Sequence, residues 1–321
     1  MSMDDSNADL EGLDLVVGGV RVASLVFSIV IYSREPFRKQ GDALVTLQKR
    51  FWDLCGHERD WYYASENMAR HKALTPRTLG MIASWTKSSA PLREFVSLEI
   101  KQGEPFNVAS RLKFQVQGTE PGSASYDDGD ANLLSFTFPA AWARDRQEEM
   151  RTLAVEVFSS MPVVCGQAGY TFELSRYYET GAAAHAWLQS MRYRGIDIAQ
   201  PTVDRAAVAT DGLKGVNWLT MLGPAMAKEV GLIGGSRSGL PRSIVLEQLA
   251  TGVLIEAGGR PLIGDASMRN DLTDNKAILR LVRPLVERLA GRYPSFWLAG
   301  GISSDRTHDW LFRLERNGVG A

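Results

Sequence analysis

The chain has 321 residues, with 36 basic and 37 acidic side chains, so its formal net charge is −1. This balance excludes a global positive field that would draw the protein to nucleic acid or to a membrane surface. Hydrophobic residues make up 45% of the sequence, enough for a core that needs no metal or disulfide. The two cysteines, Cys55 and Cys165, are expected to be buried free thiols.

The first fourteen residues include five acidic side chains, and no basic residue precedes Arg21. A secretory signal needs a basic segment followed by an apolar one, and this segment has neither. We therefore expect residues 1–14 to form a disordered acidic arm. The apolar run 20–31 is too short to span a bilayer. The protein is predicted to be cytoplasmic, with no membrane contact.

Several segments alternate apolar and polar residues, the pattern of antiparallel strands with one buried and one solvated face. These segments are 94–100, 106–116 and 133–138. Residues 15–32 contain two β-branched runs separated by Gly18 and Gly19, which predicts a hairpin because glycine tolerates positive φ. Two further apolar segments, 216–222 and 252–257, are predicted as buried strands.

Five segments are predicted as helices, most of them from apolar stripes at helical spacing. They are 37–55, 140–160, 180–191, 275–290 and 305–315. Pro284 is expected to kink or split the fourth, because proline lacks an amide hydrogen. Ser303 or Ser304 is expected to cap the last. The mixed order predicts an α+β fold of antiparallel sheets packed by helices. Residues 15–321 would form a single domain, either undivided or as two similar-sized lobes that meet near 162–180.

The sequence offers no recognised catalytic, metal or cofactor motif. The glycine-rich segment 231–239 lacks the Lys-Ser/Thr ending of a phosphate-binding loop. The four histidines are too far apart in sequence to place two metal ligands on one helical turn. We therefore predict a protein that is not an enzyme and has no cofactor. One alternative stays open, a hydrolase with a dispersed polar site that uses His185 or His308 with a nearby aspartate.

Five segments of the C-terminal half follow one another in an order that is informative as a set. They are RYRGIDI (192–198), DGLKGVNWLTMLG (211–223), IEAGGRPLIGD (255–265), a helix containing Pro284, and DRTHDWLFRLE (305–315). Together they resemble the TsiV family, type VI immunity for VRR-nuclease. The resemblance implies a protein that binds a cognate type VI effector, a nuclease of the restriction-endonuclease-like class. It would block the effector by covering its active site or substrate groove, without touching nucleic acid itself.

The motif residues themselves suit a scaffold, because Asn217 and Trp218 can combine burial with hydrogen bonding. The effector-binding surface is therefore expected elsewhere. Nuclease grooves are basic, so an acidic patch with exposed aromatic side chains would steer and anchor the complex. The candidate residues are Asp127, Asp128, Asp130, Asp265, Asp271, Asp274, Tyr177 and Tyr178. The oligomeric state stays open, as does a structural or regulatory role in a secretion or phage-like system.

Overall fold

The computed structural model describes most of the chain. The described residues are 10–65, 68, 70–91, 93, 95–103, 108–123, 131–175, 179–208, 211–233, 239–268, 272–292 and 302–316. All statements below about the structure refer to these residues.

Twelve strands in the described residues form one sheet. They are β1 (Leu15–Val17), β2 (Val20–Ser33), β3 (Trp61–Ser65), β4 (Lys72–Ala73), β5 (Val96–Gln102), β6 (Lys113–Gly118), β7 (Asn132–Pro139), β8 (Cys165–Leu174), β9 (Asp197–Ile198), β10 (Leu219–Leu222), β11 (Ile244–Leu249) and β12 (Gly252–Ala257). Their order is β11-β12-β10-β8-β2-β7-β6-β5-β3-β4, with β1 beside β2 and β9 beside β8. Every pair is antiparallel except β8–β9. The predicted α+β class is confirmed.

The helices flank this sheet. They are α1 (Gly41–Cys55), α2 (Pro76–Leu79), α3 (Met81–Trp85), α4 (Ala140–Asp145), α5 (Gln147–Ser159), α6 (Glu179–Arg192), α7 (Pro201–Val208), α8 (Pro224–Glu229), α9 (Thr273–Arg292) and α10 (Ser304–Leu311). The predicted helix over 140–160 is two helices, because Arg146 leaves helical geometry at φ −130° and ψ 43°. By contrast, α9 continues through Pro284 without splitting. Ser303 caps α10 by accepting a hydrogen bond from the Arg306 amide.

One face of the sheet is apolar and packs against α1 and α5. The Phe51 ring of α1 lies 5.7–5.8 Å, centroid to centroid, from Phe114, Phe136 and Phe138. These three side chains share a face because Phe114 and Phe136 are paired across strands and residues two apart point the same way. The contact between α1 and the sheet is therefore an aromatic cluster, with Phe51 at its centre.

We call the opposite face of the sheet the polar face. This face was predicted to be exposed to solvent, but its side chains are buried although they are polar or charged. They are Ser24, Ser28, Glu99, Lys101, Lys113, Gln115, Ser135, Thr137, Thr171 and Glu173. The alternation in β5, β6 and β7 is as predicted, but it separates an apolar buried face from a polar buried face. Alternation reports side-chain direction and does not report what covers each side.

The end of the predicted acidic arm is ordered. Leu10 is buried, and Glu11–Leu13 form a single 3-10 turn. The Asp14 carboxylate accepts hydrogen bonds from the Leu25 amide and from Arg111, and it pairs with Arg21 at 3.0 Å. These contacts tie residues 10–14 to the sheet, so the predicted disorder does not extend to them. Residues 1–9 lie outside the described residues.

The interval 162–180, considered as a boundary between two lobes, contains β8. This strand pairs with β2 on one side and with β10 and β9 on the other, so the sheet is continuous through it. This strand was not among those predicted, although QAGYTFEL (167–174) alternates polar and apolar residues, the pattern of a strand. Gly169 is required there, because a side chain at this position would collide with the Asn217 amide.

Truncation of Phe51 to alanine should destabilise the fold by about 3–5 kcal/mol, the usual cost of removing a buried phenylalanine. Phe51 is 1% exposed and contacts three phenylalanine side chains from two strands. Lys49→Ala on the exposed side of the same helix is the matched control and should change stability by about 0.5 kcal/mol or less. Urea unfolding measures both; equal midpoints for the two variants would contradict the packing described.

Candidate functional site

The polar face holds its charges in pairs. The Lys113 Nζ donates to Glu173 Oε1 at 2.5 Å, and both side chains are at most 10% exposed. The His71 Nε2 lies 2.7 Å from Glu99 Oε1, again between side chains that are nearly closed off from solvent. Burial raises the pKa of Glu173, whereas the nearby Lys113 ammonium opposes that rise. A buried carboxylate of this kind needs its cation to remain ionised.

A second buried group of charges lies beside the polar face. The Lys214 Nζ lies 2.8 Å from Asp204 Oδ2 and 3.4 Å from Asp197 Oδ2. Asp197 is on the polar side of the sheet because β9 pairs it with Thr171. Burial raises the pKa of Asp204 to about 6, although Lys214 lowers it. Lys214 thus fixes the start of the 214–223 segment to α7 and β9.

Several polar atoms near this face have no hydrogen-bond partner. They are Gln115 Oε1, Thr137 Oγ1, Asp204 Oδ1 and both amide atoms of Gln200. These atoms are the polar groups near this face that the hydrogen bonds of the described residues do not satisfy.

The structure gives little support to the hydrolase alternative. His185 Nε2 lies 2.8 Å from the Leu13 carbonyl oxygen, and its ring sits edge-on to Phe172. His308 packs on Phe312, while its neighbour Asp309 pairs with Arg316. Neither histidine has a carboxylate partner within the described residues. The buried His71–Glu99 pair was missed by the sequence reasoning, because its members are 28 residues apart and no motif links them.

Both cysteines are buried and free, as predicted. Burial raises the pKa of each thiol to about 12, so neither is a reactive thiolate at neutral pH. No cluster of three or more potential metal ligands occurs in the residues that the structure describes. Across the same residues, no helix combines the length and the apolar character needed to cross a bilayer.

Of the eight predicted partner-binding residues, the structure describes two. Asp265 is 8% exposed and is engaged within the chain, where it accepts hydrogen bonds from Arg192 and Ser267. Burial acts to raise its pKa, but these hydrogen bonds outweigh burial, and the pKa is lowered. Asp274 lies in the first turn of α9, half-exposed, and Oδ1 accepts a hydrogen bond from Ser243 at 2.7 Å. The other six lie outside the described residues: Asp127, Asp128, Asp130, Asp271, Tyr177 and Tyr178.

The residues of the 215–223 motif build the scaffold, as expected. Asn217 donates through Nδ2 to the Tyr170 carbonyl and accepts from the Trp218 amide. Trp218 is buried, and its indole N–H donates to the Gly258 carbonyl at 3.2 Å. That bond links the motif to the Gly258–Gly259 turn of the second motif. The two motifs therefore fix β8, β10 and β12 to one another.

The motifs and the fold agree with the comparison to protein families. A family model described as TsiV, type VI immunity for VRR-NUC, matches residues 44–314. The chain belongs to the TsiV family. It is thus a type VI immunity protein, and the match extends well beyond the C-terminal segments that carried the resemblance.

One solved structure with the same fold as this TsiV-family protein is the Pseudomonas aeruginosa T6SS protein PA0821. The two are 19% identical, with a TM-score of 0.76 over 93% of this chain and 84% of that one. At this identity the similarity concerns the fold alone. A search of curated proteins found no match.

Replacement of Lys113 by methionine should destabilise this TsiV-family protein by about 3–5 kcal/mol, because Glu173 would be left buried without a cation. The double variant Lys113→Met/Glu173→Met should recover most of the loss. The matched control is Lys49→Met, which breaks the exposed Lys49–Asp53 pair and should cost no more than about 1 kcal/mol. Unfolding free energies measure all three.

The stability lost in the Lys113→Met variant should depend on pH. Without Lys113 the pKa of Glu173, already raised by burial, rises further. A folded-state pKa above the unfolded value gives stability that is present at low pH and lost as pH rises through the folded pKa. The deficit of Lys113→Met should therefore shrink as the pH falls. A deficit that does not change with pH would contradict a buried, unpaired Glu173.

Proposed function

We propose that this protein binds a cognate type VI effector of the VRR-nuclease class and neutralises it stoichiometrically. The observation that carries the proposal is the family match over 44–314, which includes strands from both halves of the sheet. Inhibition would follow from docking, because a preformed surface that covers the active site or substrate groove excludes DNA without any chemical step.

The ends of the sheet suggest where this surface lies. Asn132 pairs with Ser33, and Tyr32 with Cys165, so β7 and β8 begin at one end of the sheet. Val253 pairs with Leu222, which pairs in turn with Cys165, so β12 begins at this same end. Both β8 and β12 therefore run toward the opposite end, which we call the distal end. β12 stops at Ala257, level with Gly169, whereas β8 continues to Leu174.

The segments that follow these two strands in the chain contain the two kinds of residue predicted for the interface. Tyr177 and Tyr178 follow β8, and the acidic segment 265–274 follows β12. Only β10 lies between these strands, and β8 extends five residues beyond β12, so Leu174 and Ala257 at their ends are about 20 Å apart. Asp274 belongs to the distal end because its partner Ser243 immediately precedes β11, whose first residue pairs with Ala257.

The Asp127, Asp128 and Asp130 group occupies a different connection. In the chain it follows β6, which ends at Gly118, and precedes β7, which begins at Asn132, and both of these strand ends are at the other end of the sheet. The ten residues of β8 separate the two ends by about 30 Å. A standard interface covers about 800 Å² on each partner, so we propose that the distal end is the principal contact.

Charge reversal at the distal end, Asp271→Lys with Asp274→Lys, should slow association with the cognate nuclease effector. The expected fall in association rate is about tenfold at low salt, because the distal end would no longer attract the basic groove of the effector. The difference should fade at high salt. The matched variant, Asp127→Lys with Asp128→Lys, reverses the same number of charges at the other end and should have a smaller effect. Asp265 is excluded because it is buried in intramolecular contacts.

Co-expression provides the test of the function itself. Cells that produce the effector should survive when this chain is present, and the two proteins should co-purify. If the chain neither rescues the cells nor co-purifies with the effector, the proposed function is wrong. Rescue by the wild-type chain with equal association rates for the two charge-reversed variants would instead remove the distal end from the interface.

A further inference from the structure

The strand β11 forms one edge of the sheet, and the backbone geometry shows which of its groups point away from the sheet. The Ala257 amide donates to the Trp218 carbonyl, so the backbone of Ala257 faces β10. Alternate residues of a strand face opposite sides, so Glu256 and Leu254 face β11. Their partners in the register are Val245 and Glu247. The remaining residues of β11, namely Ile244, Leu246 and Gln248, direct their backbone groups outward.

These outward groups form an open hydrogen-bonding edge. The Ile244 amide is engaged, because it donates to the Pro241 carbonyl at 3.1 Å. The backbone N–H and C=O of Leu246 and Gln248 have no partner among the described residues. The Gln248 side chain does not cover them, since its amide donates to the Leu249 and Gly252 carbonyls of the adjoining hairpin. The edge therefore presents donors and acceptors at the spacing of a strand.

The two edges of the sheet differ in their protection. The edge strand β4 has two residues, both exposed, and one of them is Lys72. Short length and lysine are common devices that prevent an edge from pairing with another chain. The edge strand β11 has six residues, a continuous register, and no proline or lysine. Val245 is 43% exposed on it. This edge is built like a strand that has a partner.

We propose that β11 pairs antiparallel with β11 of a second copy of this chain, with the two-fold axis at Leu246. In this register Leu246 N–H donates to C=O of the partner's Leu246, and Gln248 N–H donates to C=O of the partner's Ile244. Symmetry repeats both bonds. The engaged Ile244 amide is not needed. Val245 lies opposite the partner's Glu247, where its methyl groups meet the aliphatic part of that side chain.

Neighbouring registers are less favourable. An axis at Glu247 would place two carboxylates opposite each other, each already paired with Arg151 of its own chain, so neither would gain a cation. An axis at Val245 would use the Ile244 amide, which Pro241 already occupies. The register centred on Leu246 gives each free outward N–H an outward C=O of the second copy, so the edge is self-complementary and a second copy fits it. Such an interface is smaller than the roughly 1,200 Å² of a standard complex, so the dimer should dissociate on dilution.

Sedimentation velocity of the purified chain over a wide concentration range tests the proposal. The wild-type protein should show concentration-dependent dimerisation. Leu246→Pro removes an outward amide and leaves the ladder to β12 intact, so the chain should fold normally. It deletes two intermolecular hydrogen bonds and should weaken dimerisation by about five- to 150-fold. Circular dichroism and a thermal melt check folding.

A matched pair of variants tests the register. Val245→Lys places a cation opposite the partner's Glu247 twice, and should tighten the dimer by about two- to thirtyfold. Val245→Glu places like charges there and should weaken it. Val245 is 43% exposed, and because it also pairs with Glu256 within the chain, a thermal melt of each variant checks that folding is unchanged. A wild-type chain that stays monomeric at every concentration overturns the proposal. A dimer indifferent to Leu246→Pro, or equally stable with lysine and glutamate at 245, overturns it as well.

Discussion

The constraint on which the structure depends is that both faces of its sheet are covered. One face is closed by the aromatic contacts of Phe51, which the hydrophobic effect supports directly. Closing the other face removes Lys113, Glu173, Glu99 and His71 from water, and a buried charge is tolerated only with a partner. The ion pairs of the polar face are therefore a condition for the second layer. Apolar residues of similar volume would stabilise that layer at least as well, so the pairs fix geometry more than they add stability.

This constraint also determines what could be predicted from the sequence. The alternation of Phe114, Phe136 and Phe138 gave the strands and the apolar face correctly, because that signal is local. The burial of Lys113 and Gln115 could not be predicted, because it depends on elements far away in the chain. The strand β8 was not predicted, although its residues 167–174 alternate locally. Only the need for glycine at 169 is non-local, because it depends on contact with Asn217.

In the candidate site, too, some features could be predicted from the sequence and others could not. The motif around Asn217 and Trp218 was expected to be structural, and its hydrogen bonds to Tyr170 and Gly258 are structural. Family membership could be predicted because scaffold motifs are continuous in sequence. A binding surface is assembled from strand ends, so composition alone did not separate Asp274, which is half-exposed, from Asp265, which is buried against Arg192. Only the topology shows that the acidic segment and the tyrosines follow strands that run in the same direction on either side of β10.

The direction of the strands relates the two proposed surfaces to each other. The edge of β11 runs along the side of the sheet, whereas the distal end is the one toward which β8 and β12 run. Antiparallel pairing about a two-fold axis at Leu246 would point the distal ends of the two copies in opposite directions. A continuous sheet would then join the two binding ends. The β11 edge meets the distal end at Ile244, which follows Ser243, the hydrogen-bond partner of Asp274, so the dimer contact and the effector contact would adjoin there.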